Sequence, residues 1–216
     1  MSAVKSRREQ YSDATRAALV AAATVRFATD GFRATGLEDV AADIQATRGA
    51  VYHHFSSKKA LFGAVLDELE VQATARIGGA YATAPGSWAG AMAALEAFLD
   101  QCVDPVYSRV VWLEGPIALG WHDWHAVEAK YAHGTIEGIL RDLLAAGRID
   151  PLPLLVTTEV TFCAMGAAGH GLAHAAPADQ PRLRAEYGEV IRRMVAGLLP
   201  GSGEPADDRV GQQAAP

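Results

Sequence analysis

The chain has 216 residues, of which 50% are hydrophobic and 20% are charged, and its formal net charge is −6. The hydrophobic fraction supplies a sizeable core and excludes an intrinsically disordered protein. No apolar run of about 18 residues occurs, which excludes a membrane-spanning helix, and two cysteines cannot build a disulfide scaffold.

The charge is unevenly distributed along the chain. Residues 1–60 hold nine Lys and Arg against six Asp and Glu, whereas residues 61–216 hold ten against nineteen. The basic part would be attracted to a polyanion and the acidic part repelled by it. This division predicts a small nucleic-acid-binding unit joined to a larger body.

The chain begins with a basic segment, residues 1–13, which we expect to be a flexible arm. The segment lacks the apolar stretch of a secretory signal, so a cytoplasmic protein is expected. A helix is predicted from Ser12 to Asp30, because apolar residues recur every four positions, namely Leu19, Ala23 and Phe27.

Two short helices joined by a tight turn are predicted next. Thr35 and Glu38 have the spacing of a capping box, and the first helix has one apolar face, formed by Leu37, Val40, Ala41 and Ile44. Thr47 can cap the second helix, which Val51 and Phe55 anchor inward. Its outward residues are small, hydrogen-bonding or cationic, and they suit close approach to bases and phosphates.

The remainder of the chain to about residue 200 is predicted to be helical, and no alternating strand pattern occurs. The predicted helices run from a Ser57 cap to about Gly78, from a Ser87 cap to Pro105, over 107–113 to a stop at Gly115-Pro116, from Ile117 to Ala146, from Leu154 to Ala175, and from Pro181 to Leu199. Residues 201–216 are small and polar without periodicity, and a disordered tail is expected.

From about Ala14 to Leu61 the sequence resembles the DNA-reading part of the TetR family of transcriptional regulators. The resemblance rests on Phe27-Ala-Thr-Asp-Gly-Phe32, on Thr35 with Val40-Ala41, and on the closing Tyr52-His-His-Phe-Ser-Ser-Lys58. The Tyr-x-x-Phe-x-x-Lys ending is far more specific than a generic helix-turn-helix pattern. One position departs from the family, since Gln45 stands where the turn usually carries a left-handed glycine. We expect about 1 kcal/mol of strain there, or a turn that closes differently.

The resemblance implies an all-α fold with two domains. A helix-turn-helix domain at residues 14–60 would bind a double-stranded DNA operator, and a larger helical domain at residues 61–200 would bind an effector and dimerise. The DNA contacts it implies are Thr35, Thr47, Arg48, Gly49, Ala50, Tyr52, His53 and Lys58. Among them, Arg48 is the candidate for a bidentate contact to guanine. Tyr52, His53 and Lys58 would hold phosphates.

The aromatic residues of the body are concentrated in its middle helices. TetR-like proteins bind a small effector in this part of the fold, so the resemblance implies a largely apolar pocket. Its candidate residues are Phe98, Cys102, Tyr107, Trp112, Trp121, Trp124, His125, Phe162 and Met165. For any single one of them, an ordinary place in the core is the alternative.

A two-fold homodimer is predicted because one reading helix makes few contacts, whereas two spaced by about 34–36 Å match successive major grooves. The expected interface is a run of small residues between 164 and 171, beside Leu155, Val156, Val160, Phe162 and Met194. Packing of these residues within one chain is the alternative.

His170 and His174 stand four apart, a spacing that can hold zinc, yet no cysteine or carboxylate is convincingly placed beside them. No metal, no cofactor and no enzymatic activity are therefore predicted, since nucleophile, phosphate-loop and acid–base motifs are also missing from the sequence. The expected function is a ligand-responsive repressor that binds a palindromic operator. A helical small-molecule-binding protein and a metal-responsive regulator remain as alternatives.

Overall fold

A computed structural model describes residues 6–198, which form eleven α-helices and one π-helical segment, without a strand. The elements are α1 Arg7–Thr29, α2 Gly31–Ala34, α3 Leu37–Asp43, α4 Arg48–His54, α5 Lys58–Thr83, α6 Ser87–Val103, α7 Pro105–Tyr107, the π segment Ser108–Glu114, α8 Gly115–Leu119, α9 Trp121–Ala145, α10 Leu154–His174 and α11 Gln180–Ala196. The predicted all-α class is confirmed. Among the described helices, none is long and apolar enough to cross a membrane.

The first helix begins earlier than the sequence predicts. Ser6 caps it, because the Glu9 N–H donates to Ser6 Oγ at 3.3 Å and the Ser6 N–H donates to Glu9 Oε2 at 2.8 Å. Residues 7–13 of the expected flexible arm are therefore helical. Residues 1–5 of that arm and the expected disordered tail at 201–216 lie outside the described residues.

The first helix of the helix-turn-helix begins at Leu37, and the predicted Thr35–Glu38 capping box is wrong. The Thr35 hydroxyl donates to the Gly31 carbonyl at 2.9 Å and so closes α2. The Gly36 N–H donates to Asp39 Oδ2 at 3.1 Å and opens α3. The Thr47 cap of α4 is confirmed, since the Ala50 N–H donates to Thr47 Oγ1 at 3.2 Å.

Gln45 takes the left-handed conformation in the turn, with φ +55°. The Gln45 N–H donates to the Ala42 carbonyl at 3.1 Å, and the Ala46 N–H donates to the Ala41 carbonyl at 2.9 Å. The turn therefore closes with glycine-like geometry, at a cost of about 1 kcal/mol for a residue that carries a Cβ.

Two helices of the body have other bounds than predicted. Ser57 caps α5 as expected, but the helix continues past Gly78 to Thr83. Its last turn is held by Tyr81, which packs on Gly90 of α6 and donates to Asp142 Oδ2 at 2.7 Å. These contacts offset the roughly 1 kcal/mol that a helical glycine costs. The cap of α6 is Gly86, with φ +89°, so Ser87 is the first helical residue.

The predicted helix stop at Gly115-Pro116 is a change of helical register. The π segment ends there and α8 continues to Leu119, because Gly115 packs directly against the Trp124 ring and keeps the chain close to α9. The break lies at Gly120, with φ +84°, so that α9 begins at Trp121 instead of Ile117.

The helix-turn-helix part is packed firmly on the body. Phe27, Phe32 and Phe62 form a cluster with ring centroids 5.0–5.9 Å apart, and one continuous apolar core runs from α1 through α5 to the π segment. Arg26 of α1 also donates to both carboxylate oxygens of Asp43, at 2.5 and 2.8 Å. A second core lies between α6, α9 and α10, around Ala91, Ile136, Leu140, Leu143 and Phe162.

Candidate DNA-reading surface and internal cavity

The outer face of α4 brings together six of the eight predicted DNA contacts. Val51 and Phe55 are buried and fix the helix from below. Five residues of the outer face are exposed and Ala50 is half-buried. We name this face the reading surface, and it consists of Thr47, Arg48, Gly49, Ala50, Tyr52 and His53.

Glu38, a residue that the sequence analysis assigned only to a cap, lies beside the reading surface. Its Oε1 is 3.2 Å from Arg48 Nε and accepts from the Tyr52 hydroxyl at 3.3 Å. The Arg48 guanidinium also lies 5.4 Å from the centre of the Tyr52 ring. Because the Arg48 side chain is 72% exposed, this ion pair contributes at most about 1 kcal/mol. Glu38 therefore orients Arg48 through a contact that is weak enough to be replaced when DNA binds.

Thr35 and Lys58 are not on the reading surface. Thr35 is 2% exposed and its hydroxyl is already bound within α2, so it is unsuited to contact DNA. The Lys58 ammonium donates to the carbonyls of Arg33 and Thr35 at 3.2 and 2.9 Å, and it lies 4.7 Å from the Phe32 ring centre. Two of its three donors thus hold the carboxyl end of α2.

A cavity lies in the body between α5, α6, α9 and α10. Its empty volume is ≈ 980 Å³, part of which is open to solvent. Most of its walls are apolar, and its aromatic residues are Phe98, Tyr107, Trp112, Tyr131 and Phe162. Five of the nine predicted effector residues line it, namely Phe98, Tyr107, Trp112, Phe162 and Met165.

The other four predicted effector residues lie elsewhere. Cys102 is fully buried in the core, where burial, together with the charges of Glu128 and Glu70, raises its pKa well above the usual range. The remaining three stand at the first turn of α9, away from the cavity-lining part that begins at Glu128. There Trp124 is buried against Gly115, Trp121 is 60% exposed and stacked on His170, and His125 lies edge-on to Phe162.

Two buried carboxylates in the cavity wall escaped the sequence analysis. Glu70 of α5 and Glu128 of α9 are 5% and 6% exposed. The Tyr107 hydroxyl donates to Glu70 Oε1 at 2.8 Å, whereas Glu128 Oε1 is buried without a partner. Glu70 was visible in the sequence as an acidic residue on the apolar face of α5, beside Leu66, Leu69 and Ala73.

Burial raises the pKa values of both carboxyl groups. The pKa of Glu70 rises to about 7, because the effects of burial and of the Asp67 charge exceed that of the Tyr107 hydrogen bond. The pKa of Glu128 lies well above its usual range through burial and the charge of Glu70. Near neutral pH the pair therefore holds part of its protons.

The four helices α1 to α4 are called the reading domain below. The π segment connects the cavity to this domain. Trp112 lines the cavity, and Glu114, two residues later, accepts from the Phe32 N–H at 2.9 Å. Arg109 pairs with the same carboxylate at 2.8 Å. Gly31 has φ +82°, and a Cβ there would lie 2.8 Å from Glu114 Oε1. The start of α2 thus fits around a side chain of the body.

One face of the last two helices is apolar and exposed. Leu155, Val156, Val160, Val190 and Met194 are between 47% and 80% exposed. Three of the six small residues expected in this face are not part of it: Ala168 is buried, Gly169 packs on Trp112, and Gly171 packs on Tyr187. They bring α10 close to its neighbours inside the chain.

The histidines and cysteines show no clustering typical of a metal site in the described part of the chain, where no group of three or more His, Cys, Asp or Glu is suitably placed. The His170 ring packs against Trp112, Trp121 and Trp124. Cys163 is exposed, whereas Cys102 is buried.

Comparison with known proteins adds two family matches. Residues 88–198 match the family described as "Tetracyclin repressor-like, C-terminal domain", and residues 19–65 match "Bacterial regulatory proteins, tetR family". The Transposon Tn10 TetC protein of Escherichia coli is 23% identical over 145 residues, which are 67% of this chain and 73% of that protein. A Mycobacterium tuberculosis HTH-type transcriptional repressor is 45% identical over 58 residues, 27% of this chain and 31% of its own length.

Solved structures show the same fold. A TetR-family regulator from Pectobacterium atrosepticum superimposes with a TM-score of 0.78 at 24% identity, covering 90% of this chain and 98% of that one. RolR in complex with resorcinol gives a TM-score of 0.66 at 17% identity, covering 86% and 89%. With the helix-turn-helix, the helical body and both family matches, the chain belongs to the TetR family of DNA-binding transcriptional regulators.

Proposed function

We propose that this protein is a repressor that binds a palindromic operator as a homodimer and is released by a small, largely apolar effector. The observation that carries the proposal is the π segment, which contacts the cavity through Trp112 and the reading domain through Glu114. A ligand in the cavity therefore has a short physical route to the DNA-binding helices.

Arg48 is the residue that we expect to read sequence. In each protomer the Arg48 guanidinium leaves Glu38 and donates to one guanine of its half-site. This contact is worth about 1–3 kcal/mol of discrimination against other bases. Tyr52 and His53 hold phosphates, and Gly49 keeps the backbone close to the groove. Lys58 acts indirectly, because it fixes α2 through the Arg33 and Thr35 carbonyls.

Release of the operator DNA follows from displacement of the cavity wall. A bound ligand presses on Trp112 and Tyr107, which shifts the π segment and with it the Glu114 carboxylate at the start of α2. Moving both reading domains of a dimer loses contacts in both half-sites together. A difference of a few kcal/mol between the two states is enough to empty the operator.

The exposed face of α10 and α11 supports the dimer. Val156, Val160 and Met194 are large apolar side chains that a second copy would cover. The liganded relative supports the effector, since RolR, of the same fold, was solved with resorcinol, a small aromatic molecule.

The decisive experiment is selection of bound sequences from a random DNA pool at near-physiological salt. A two-fold symmetric consensus is expected, and Arg48→Ala should lose preference at one base pair of each half-site. Arg148→Ala removes an exposed cation of the body and serves as the matched control. Enrichment of no sequence would contradict the proposal and favour a helical small-molecule-binding protein, for which the cavity would be the functional site.

A further inference from the structure

We propose that the effector is an organic cation, whose apolar or aromatic body fills the cavity and whose positive charge lies at Glu70 and Glu128. The inference rests on the proposed function and deepens it by naming the chemical class of the ligand. It also accounts for two acidic residues in a wall that is otherwise largely apolar.

The charge of the cavity is one-sided. Its wall contains the carboxylates Glu70 and Glu128, and no Lys, Arg or His is among the described residues that line it. A carboxylate withdrawn from water without a counter-charge is strongly destabilising. The folded protein therefore keeps two acidic groups in a wall that offers them no counter-charge, so that they must either hold a proton or meet a cation from outside.

The hydrogen bonds of the two carboxylates are incomplete. Tyr107 satisfies one oxygen of Glu70, whereas Glu128 Oε1 is buried and has no hydrogen-bond partner. Native proteins leave few buried polar atoms in this condition, and ligand sites are among the exceptions. Glu128 is thus the group that we expect to meet the ligand directly, with Tyr107 orienting Glu70 beside it.

The rest of the wall suits the body of such a ligand. Phe98, Trp112 and Phe162 present aromatic rings, and Ile136, Leu140 and Met165 are among the aliphatic and thioether contacts. Aromatic faces attract weakly hydrated cations, such as quaternary ammonium ions, through their quadrupoles. Carboxylates and rings around one cavity therefore favour a cation over a neutral ligand of the same shape.

A matched pair of compounds tests the charge alone. Benzyltrimethylammonium and its carbon isostere 2,2-dimethylpropylbenzene have the same shape and differ in one positive charge. Binding of each to the full-length protein is measured by calorimetry at about pH 8, which lies above the pKa of about 7 to which burial raises Glu70. The cation is expected to bind at least about tenfold more tightly, and Glu128→Gln should remove this preference.

Glu137→Gln is the matched control, since it removes an exposed carboxylate that pairs with Arg141 on the same helix, outside the cavity wall. It should keep the preference for the cation. Equal or tighter binding of the isostere, an unchanged preference in Glu128→Gln, or no binding of the cation at millimolar concentration would each overturn the inference.

The pH dependence provides a second readout that a merely structural role of Glu128 would not produce. Affinity for the permanently charged cation should rise about tenfold from pH 5.5 to pH 8.5 as Glu70, whose pKa burial raises to about 7, loses its proton, while that of the isostere stays constant. The other titratable groups facing the pair are Tyr107, Asp67 and Cys102. The same slope for both compounds would contradict the inference.

Failure of the inference differs from failure of the proposed function. If the protein selects an operator and a neutral compound releases it while the cation does not, the repressor stands and the ligand class is wrong. If the protein selects no operator, the repressor is wrong, whatever the cavity binds.

Discussion

Glu38 holds the side chain that we expect to read the operator. Its carboxylate contacts both Arg48 and Tyr52, and it lies beside the reading surface. The contact keeps Arg48 close to the ring of Tyr52, which lowers the cost of ordering a long side chain when DNA binds. The same charge repels DNA, so Glu38 limits affinity for every sequence.

Neutralising Glu38 should therefore strengthen DNA binding without changing the preferred sequence. For Glu38→Gln we expect an increase of about threefold to fivefold in affinity for operator and random DNA alike, because an exposed ion pair contributes at most about 1 kcal/mol. Fluorescence anisotropy on both DNAs measures it. Glu68→Gln, an exposed carboxylate of α5, is the control and should change little. A loss of affinity in Glu38→Gln would mean that the carboxylate is needed to position Arg48.

The buried carboxylates predict how the stability of the protein depends on pH. The folded pKa of Glu128 lies above its usual value of 4.5, so the folded state keeps a proton that the unfolded state loses. Stability is then highest below that value and falls as the pH rises towards the folded pKa. Tyr107, Cys102 and Asp67 are the other titratable groups around Glu70 and Glu128.

Glu128→Gln should remove the part of the fall in stability with rising pH that ionisation of Glu128 causes. We expect the variant to gain about 1–3 kcal/mol over the wild type at pH 8, and the difference to shrink towards pH 5. Urea unfolding at both pH values measures it. An equal difference at the two pH values would show that the Glu128 side chain acts through packing alone.

Among the elements, the π segment and the two turns next to it decide how the domains are joined. The segment places Trp112 in the cavity wall and Glu114 at the start of α2. Gly31 permits this approach because it has φ +82° and no Cβ. Gln45 takes the same region of backbone conformation, with φ +55°, although its side chain disfavours it.

Reciprocal substitutions at these two positions should have opposite effects on stability. Gln45→Gly relieves strain and should stabilise the fold by up to about 1 kcal/mol, whereas Gly31→Ala should destabilise it by about 1–3 kcal/mol. The larger cost at Gly31 includes displacement of the Glu114 carboxylate. Thermal unfolding measures both variants, and Gly134→Ala, in an open helical position, should be neutral or slightly stabilising. Equal effects of Gly31→Ala and Gly134→Ala would contradict the proposed contact.

At the scale of the whole molecule, the exposed apolar face of α10 and α11 should join two copies. Apolar side chains of this size on a helix face are typical of a surface that is covered in the working assembly. Two copies joined by a two-fold axis would present two reading surfaces to one face of DNA.

A charge in this face should separate the copies. Val160→Glu is expected to shift the protein from dimer to monomer in sedimentation experiments and to lower operator affinity by at least about tenfold, because each monomer holds one half-site. Val71→Glu, on α5, changes an equally exposed valine away from the face and should stay dimeric. If Val160→Glu and Val71→Glu sedimented with the same mass, the dimer interface would lie elsewhere.

The helices and the reading surface could be predicted because their signals are local. The Thr47 and Ser57 caps, the four-residue spacing of apolar positions, and the Tyr52 to Lys58 ending each lie within one or two turns of chain. Errors such as the Thr35 cap arose where two competing local hydrogen bonds were available, and the Thr35 hydroxyl donates to the Gly31 carbonyl instead of capping α3.

The sequence by itself determined the helical class, the family and the outer face of α4, since periodicity and capping depend on neighbours along the chain. Only the tertiary structure decided which aromatic residues line the cavity, that Lys58 holds α2, and that Glu114 reaches Phe32. It alone brought Glu70 and Glu128 into one wall. Their proximity depends on how α5 packs against α9. The sequence pattern of one helix does not specify which residues of the other helix it contacts.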